Sequence, residues 1–331
     1  MELFKNKKLL LFILIVIAGV LPSCSGIKIP NVNRNIEEYT KSESMIFVSQ
    51  LKNEYEETFG SDIWKLTSGD GKTKYESYVV SNVKKYLEVI KTLNLYFSTE
   101  IDNSSKVITS SVNSQIMKVA REYIDSLSDG DKKYINCTLE DVLKMYTEYY
   151  KACYVIEYAL RNEDNEISVS ESKVIRVDQI VMSDKEKATK VREDLNQRGA
   201  NFAYFARQYS ESDVVSLKIE RGDELSGMFP EAFLLDNGEV SDVIEFNNKY
   251  YIFKCTDAYD QYETERRKEY IKKAIRSKAF TDFYTEYANQ NVIVFKDPYW
   301  QEISLSNHPE TKTTSFFEIF NKYFGEELKL Q

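Results

Sequence analysis

The chain has 331 residues, of which 53 are acidic and 44 are Lys or Arg, and its formal net charge is −9. Because phosphate-rich surfaces repel an acidic chain, this balance argues against nucleic acid as a partner. Four cysteines without a CxxC pair and a single histidine, His308, form no recognisable zinc motif or disulfide framework. We therefore expect no metal and no cofactor.

Residues 1–23 have the pattern of a secretion signal. Three lysines precede an apolar run from Leu9 to Leu21, which is shorter than the roughly 20 residues of a membrane-spanning helix. Cys24 follows the small residue Ser23, so the stretch is similar to a bacterial lipoprotein signal with Cys24 as the lipidated first residue. Ordinary cleavage beside a chance cysteine is the alternative. The resemblance implies two acyl chains, enough for anchoring at the extracytoplasmic face of the cell membrane, with residues 24–35 as a polar tether.

Residues 36–171 have the spacing of a helical domain. Thr40 and Glu43 form a capping box that opens a helix ending near Gly60, and Thr138 caps another. A stripe of apolar residues before Asp129-Gly130 predicts a helix that ends there. We interpret the aromatic residues of these stripes as core rather than as a ligand groove. The two longest stripes contain Val79, Val83, Tyr86, Leu87, Ile90, Leu93 and Phe97, and Ile116, Val119, Ala120, Tyr123, Ile124 and Leu127.

The pattern changes to mixed strands and helices in residues 172–258. A strand is predicted over 174–182, and Ser183 and Glu186 form a second capping box. Residues 243–253 predict a hairpin that turns at 247–249. In residues 259–331 a long helix returns the chain to the helical domain. Phe316, Phe317, Ile319, Phe320 and Phe324 then predict a terminal helix docked on that domain. The fold class is α+β, with a compact unit inserted in a helical domain.

Four segments of the inserted unit, in order, carry a resemblance to a known family. They are 177–182, 198–210, 232–241 and 249–253, and they are similar to the strand and helix motifs of parvulin-type (PpiC, rotamase) peptidyl-prolyl isomerases. The layout resembles that of extracytoplasmic foldases of the PrsA and SurA kind, particularly lipoproteins of low-GC Gram-positive bacteria. The resemblance implies a parvulin-like domain over 172–258. It also implies a chaperone domain that the C-terminal helix completes.

The family's active-site positions are altered in this chain. Two family histidines face each other on adjacent strands beneath the bound proline, and Gln179 and Tyr251 occupy those positions, where they could hydrogen-bond each other. Ser212 falls where the family has a cysteine or an aspartate. The resemblance thus implies a degenerate active site with no assured catalytic residue.

The substrate-binding wall is also altered. Met228 matches the methionine of the family's proline pocket. The chain from there to Phe233 is several residues shorter than usual, and Phe229 could replace the missing pocket phenylalanine. The resemblance therefore assigns substrate binding to Met228, Phe229 and Phe233.

Two functions fit this pattern. Rotation about an X–Pro bond faces a barrier of about 18–20 kcal/mol and breaks no covalent bond, so it needs a dry pocket and placed polar groups rather than a nucleophile. The first hypothesis is a lipid-anchored foldase that isomerises prolyl bonds in newly secreted polypeptides. The second is a non-catalytic holdase for unfolded chains with a relic parvulin domain. A solute-binding lipoprotein would need repeated βα alternation, which is absent. Homodimerisation stays open.

Overall fold

The computed structural model describes residues 36–69, 71–102, 104–163, 166–306 and 308–328. The predicted signal, the lipidation site Cys24 and the tether lie outside these residues. The chain divides into two compact units: one takes the residues up to Asn162 together with those from Ser277 onward, and the other is Glu163–Arg276. The second unit begins before the predicted boundary at 172 and continues past 258. Within the described ranges, none of the helices has the length and hydropathy of a membrane span.

The first unit is helical. Its helix caps follow the predicted signals at two places: Thr40 with Glu43 closes a capping box before α1, and Thr138 accepts the backbone N–H of Asp141 before α6. Its helices are α1 (Lys41–Phe59), α2 (Tyr75–Thr99), α3 (Ser104–Val107), α4 (Ser110–Ser126), α5 (Asp129–Ile135), α6 (Leu139–Leu160) and α12 (Ser315–Phe324), with 3₁₀ turns at Ser61–Lys65 and Pro298–Gln301. Helix α11 (Gln261–Gln290) contributes residues to both units.

The predicted helix stop at Asp129-Gly130 is wrong. Helix α4 already ends at Ser126, and Asp129 begins α5. Ser128 and Asp131 form a capping box there, with each side chain accepting the other residue's backbone N–H. Aspartate at the third helical position therefore marks a start, a role that glutamate or glutamine more often fills.

The aromatic stripes form the core of the first unit, as predicted. Phe316 of α12 stacks on Tyr146 with the ring centroids 4.1 Å apart, and it lies 4.7 Å from Phe47 of α1. The α12 residues Phe316, Phe320 and Phe324 are fully buried. The terminal helix thus packs on the core of this unit through its aromatic face, and burying these rings is the main stabilising contribution available to a helix of this length.

The segment before α12 is held by buried side chains of α1 that bind its backbone. Lys52 Nζ donates to the His308 carbonyl at 3.1 Å. Asn53 Nδ2 donates to the Thr313 carbonyl, and Gln50 Nε2 to the Thr314 carbonyl, both at 2.9 Å. The polar groups of this segment are thereby satisfied inside the unit.

The second unit contains an antiparallel sheet in the order β2-β1-β4-β3. The hairpin between β3 and β4 turns at Asn247 and Asn248, whose φ values of 49° and 58° suit a two-residue left-handed turn. The confirmed fold class is α+β. The strands are β1 (Val174–Met182), β2 (Ser216–Glu220), β3 (Ile244–Phe246) and β4 (Lys249–Asp257), and the helices are α7 (Val169–Ser172), α8 (Lys185–Leu195), α9 (Phe202–Tyr209) and α10 (Glu224–Met228), with a 3₁₀ turn at Pro230–Leu234.

The predicted capping box at Ser183 is wrong. Asp184 caps α8 by accepting the Lys187 N–H. Ser183 instead donates its hydroxyl and its backbone N–H to the carboxylate of Glu211. The helix ends at Leu195.

The sheet has two apolar faces, because alternate residues of a strand point to opposite sides. Ile180 and Ile252 face α8 and α9, and pack with Ala188, Val191, Phe202 and Ala206. The opposite face carries Val177 and Phe253, which pack with Ile219, Phe229 and Phe233. The residues at the family's histidine positions lie on this second face.

Candidate functional site

Gln179 and Tyr251 lie on the two central strands of the sheet. In the β1–β4 register Gln179 is opposite Phe253, and Tyr251 is opposite Val181. Residues 179 and 181 share a face, as do 251 and 253, so the two side chains are diagonal neighbours on one face. The structure thus places the predicted pair on neighbouring strands.

The predicted hydrogen bond between this pair is not formed. The Gln179 amide, which is 6% exposed, donates through Nε2 to the Val214 carbonyl at 2.8 Å. Its backbone N–H donates to the Val215 carbonyl at 2.7 Å. Gln179 therefore ties β1 to the loop before β2, which is a structural use of the side chain.

Ser212 meets Gln179 at the same backbone carbonyl. Its Oγ donates to the Val214 carbonyl and accepts the Val214 N–H, both at 3.2 Å. This is the geometry of a small serine turn. The sequence indicated positions 179 and 212 as candidate site residues. It could not indicate Val214, because any residue type has the backbone carbonyl that accepts these hydrogen bonds.

Tyr251 is packed among aromatic rings. Its ring centroid lies 4.7 Å from that of Phe229 and 6.1 Å from that of Phe253. Phe229 also lies 4.9 Å from Phe253 and 5.6 Å from Phe246, and it is 3% exposed. Phe229 thus covers the part of the sheet face that carries Tyr251.

The other two residues predicted to bind substrate are placed differently from Phe229. Met228 is half-buried at the margin of this face. Phe233 is buried, and the guanidinium of Arg221 lies 4.1 Å above its ring centroid. Of the three residues predicted to bind substrate, Phe229 is the one whose ring pairs with Tyr251.

The local chain around α10 fixes the position of Phe229. Asp223 caps this five-residue helix by accepting the Ser226 N–H at 2.7 Å. The Phe229 N–H donates to the Leu225 carbonyl at 2.9 Å, and the Phe229 carbonyl accepts the Ala232 N–H at 3.1 Å. The ring therefore enters the face from a tight turn between α10 and the following 3₁₀ turn.

The face offers no activated nucleophile or metal centre. Cys255 lies on the same side of β4, and burial raises the pKa of its thiol, so the thiol stays protonated at neutral pH. Across the described part of the chain, no three His, Cys, Asp or Glu side chains converge as metal ligands. What the face can supply is an apolar surface, the Tyr251 hydroxyl and the Gln179 amide.

The sequence has recognisable relatives. It is 28% identical over 182 residues to Foldase protein PrsA 4 of Bacillus cereus, covering 51% of this chain and 62% of that protein. It is 30% identical over 165 residues to Foldase protein PrsA 3 of the same species, covering 47% and 56%. A crystal structure of peptidylprolyl isomerase (PrsA) from Bacillus cereus is 21% identical over 77% of this chain and 97% of that one, with a TM-score of 0.31. No protein-family model matches the chain.

The chain is thus an α+β protein whose sequence is similar to bacterial foldases. Among these it is similar to PrsA proteins, which confirms the predicted resemblance. The chain spans less than two-thirds of the length of each of the curated relatives that it matches.

Proposed function

We propose that the chain is an extracytoplasmic foldase of the PrsA kind, anchored by lipid at Cys24 and acting on unfolded or newly secreted polypeptides. The observation that carries this proposal is the placement of Gln179 and Tyr251 on one face of the two central strands, in a chain whose sequence is similar to PrsA. The lipoprotein-like signal supports the location. The helical unit would cradle unfolded segments, and the acidic chain would not recruit nucleic acid.

Prolyl isomerisation on this face would use desolvation and polar contacts. A twisted amide has lost the resonance that keeps the peptide bond planar. Only contacts that strengthen in this twisted state lower the barrier. The hydroxyl of the partly buried Tyr251 is the polar group available for such contacts. The Gln179 amide N–H that binds Val214 is already committed.

A second candidate is a chaperone that does not turn over prolyl bonds. Phe229 favours it, because this buried ring packs against the partly buried Tyr251 and takes up the part of the face beside it. In this case the inserted unit serves as a scaffold, and the helical unit binds the unfolded chain. Both candidates share location and clients.

A protease-coupled assay on Xaa-Pro peptides separates the two candidates. The chain from residue 24 onward, with Cys24→Ser, should accelerate isomerisation above background if the unit is an enzyme. Tyr251→Phe should then lower the rate while leaving stability unchanged, since no hydrogen bond to its hydroxyl occurs among the described residues. Turnover at background level excludes the isomerase. Slower aggregation of a proline-free client supports the chaperone, and failure in both assays rejects the proposed function.

Detergent phase separation tests the anchor. The full chain, produced in a Gram-positive host, should partition into the detergent phase, and Cys24→Ser should shift it to the aqueous phase. If both forms partition alike, lipid at Cys24 is not the anchor.

A further inference from the structure

We infer that Phe229 is the residue that decides whether the inserted unit takes a ligand, because its ring fills the position on the sheet face where an external apolar ring would bind. The ligand class is the prolyl ring of an extended peptide. This inference rests on the proposed function, since it takes the face of Gln179 and Tyr251 as the ligand-binding face. The new element is that a side chain of the protein itself, Phe229, occupies this face.

The position that Phe229 fills is lined by aromatic rings and therefore suits an apolar ring. Tyr251, Phe253 and Phe246 surround it, with centroids 4.7, 4.9 and 5.6 Å from that of Phe229. These are the distances of edge and tilted aromatic contacts. A cavity bounded by such rings stays dry and binds ring-sized apolar molecules rather than water. Removing the benzyl group should therefore leave a site for a prolyl ring.

The backbone that holds Phe229 is local. The side chain stands after a five-residue helix and directly before Pro230. Gly227 beside it is exposed, and a Cβ there would meet no described atom within 4 Å. Removing the ring therefore loses its packing against Val177 and Phe253 but no backbone pairing of the sheet.

The Phe229→Ala and Phe229→Leu variants test the inference. The probe is the blocked tetrapeptide Ala-Ala-Pro-Ala, with Ala-Ala-Ala-Ala as the peptide control, so that proline supplies the only ring. Binding is measured on residues 24–331 carrying Cys24→Ser, by the shifts of the Tyr251 and Phe253 amide signals in NMR spectra. The matched protein control is Phe202→Ala, which removes an equally buried ring from the opposite face.

We expect Phe229→Ala to bind the proline peptide at least about tenfold more tightly than the unmodified chain, the change produced by burying roughly two methylene groups. Phe229→Leu should gain less, because the leucine side chain still fills most of the position. Phe202→Ala should gain nothing, and neither variant should prefer the alanine peptide. Thermal unfolding with excess peptide gives a second readout, since a ligand of the native state raises the midpoint even of a destabilised variant.

Two results overturn the inference. One is binding of the proline peptide by the unmodified chain as tightly as by Phe229→Ala. The other is the absence of both signal shifts and midpoint changes in the two Phe229 variants. Either result leaves the proposed function standing if the unmodified chain still slows aggregation, so the two failures are distinguishable.

Discussion

Replacing Asp131 by asparagine should loosen the C-terminal segment from the helical unit. The Asp131 carboxylate is 2% exposed. Its Oδ1 accepts the backbone N–H groups of Lys312 and Thr313 at 2.8 and 3.1 Å. Its Oδ2 accepts the Ser128 hydroxyl and backbone N–H at 2.6 and 3.1 Å. One buried carboxylate thus joins the start of α5 to the segment before α12.

Asparagine preserves the shape of this side chain but only one of its acceptor atoms. Whichever way the amide turns, two donors lose their acceptor and face an N–H₂ group instead. Hydrogen bonds to a charged group contribute about 1.5–3 kcal/mol each. Partial access to water offsets some of the loss, so we expect Asp131→Asn to lower the free energy of unfolding by about 3 kcal/mol.

The effect of this substitution depends on pH with a definite sign. Burial raises the pKa of Asp131, but the hydrogen bonds from Ser128, Lys312 and Thr313 outweigh it and hold the pKa below its ordinary value. A carboxyl whose pKa is lowered by folding stabilises fully above its unfolded pKa, and this contribution disappears as the pH falls through the folded pKa. The gap between the unmodified chain and Asp131→Asn should therefore be complete at neutral pH and close in acid.

Urea unfolding followed by tryptophan fluorescence measures this gap, because Trp64 and Trp300 are both buried in the helical unit. Asp129→Asn is the matched control, since it makes the same change in the same helix turn at an exposed position. That control should lose only the helix-dipole contribution of about 0.3–1 kcal/mol. Equal losses in the two variants, or a gap that widens in acid, would show that the carboxylate does not hold the segment.

Two further substitutions test packing in the same unit. An added Cβ at Gly130 would overlap the backbone of Glu310, so Gly130→Ala should lower the free energy of unfolding in urea by about 1–3 kcal/mol. The control is Gly69→Ala, where an added Cβ meets no described atom within 4 Å and the change should stay within about 0.5 kcal/mol. Similar losses in the two variants would refute the overlap. Lys91 Nζ lies 3.0 Å from the Glu148 carboxylate in a largely buried pair, so Lys91→Met should cost about 3–5 kcal/mol. Adding Glu148→Gln removes the stranded charge but keeps an acceptor for the Tyr39 hydroxyl, so it should recover part of that loss. No recovery would mean that the stranded charge is not its cause.

The elements that the sequence predicted well are those whose signals are local. The β1 strand matches the predicted 174–182 because its apolar residues run without a turn signal. The Asn247-Asn248 pair suits a left-handed turn, so the hairpin follows from two residues. The box of Thr40 and Glu43 satisfies its helix start within one turn.

The two wrong helix boundaries have different physical causes. Ser183 has the residue type of a cap, but its hydroxyl and N–H bind the distant Glu211, and the cap passes to Asp184. Gly130 has the residue type of a helix end, yet it lies in the first turn of α5, which the capping box of Ser128 and Asp131 begins. The first boundary depends on a partner far away in sequence, whereas the second follows from a local signal in which aspartate takes the place of glutamate or glutamine.

The candidate site, too, could be predicted from the sequence only in part. The strands that bring positions 179 and 251 to one face followed from motifs, whereas the contacts of those side chains depend on loops. The Val214 carbonyl has two lone pairs, and the donors from Gln179 and Ser212 occupy both. The N–H of Gln179 that binds the Val214 carbonyl cannot also bind a ligand, because the carbonyl would then lose this hydrogen bond. One N–H of Gln179 therefore serves the folded loop, and any chemistry on this face depends on Tyr251, on the rest of the Gln179 amide and on the space that Phe229 leaves beside them.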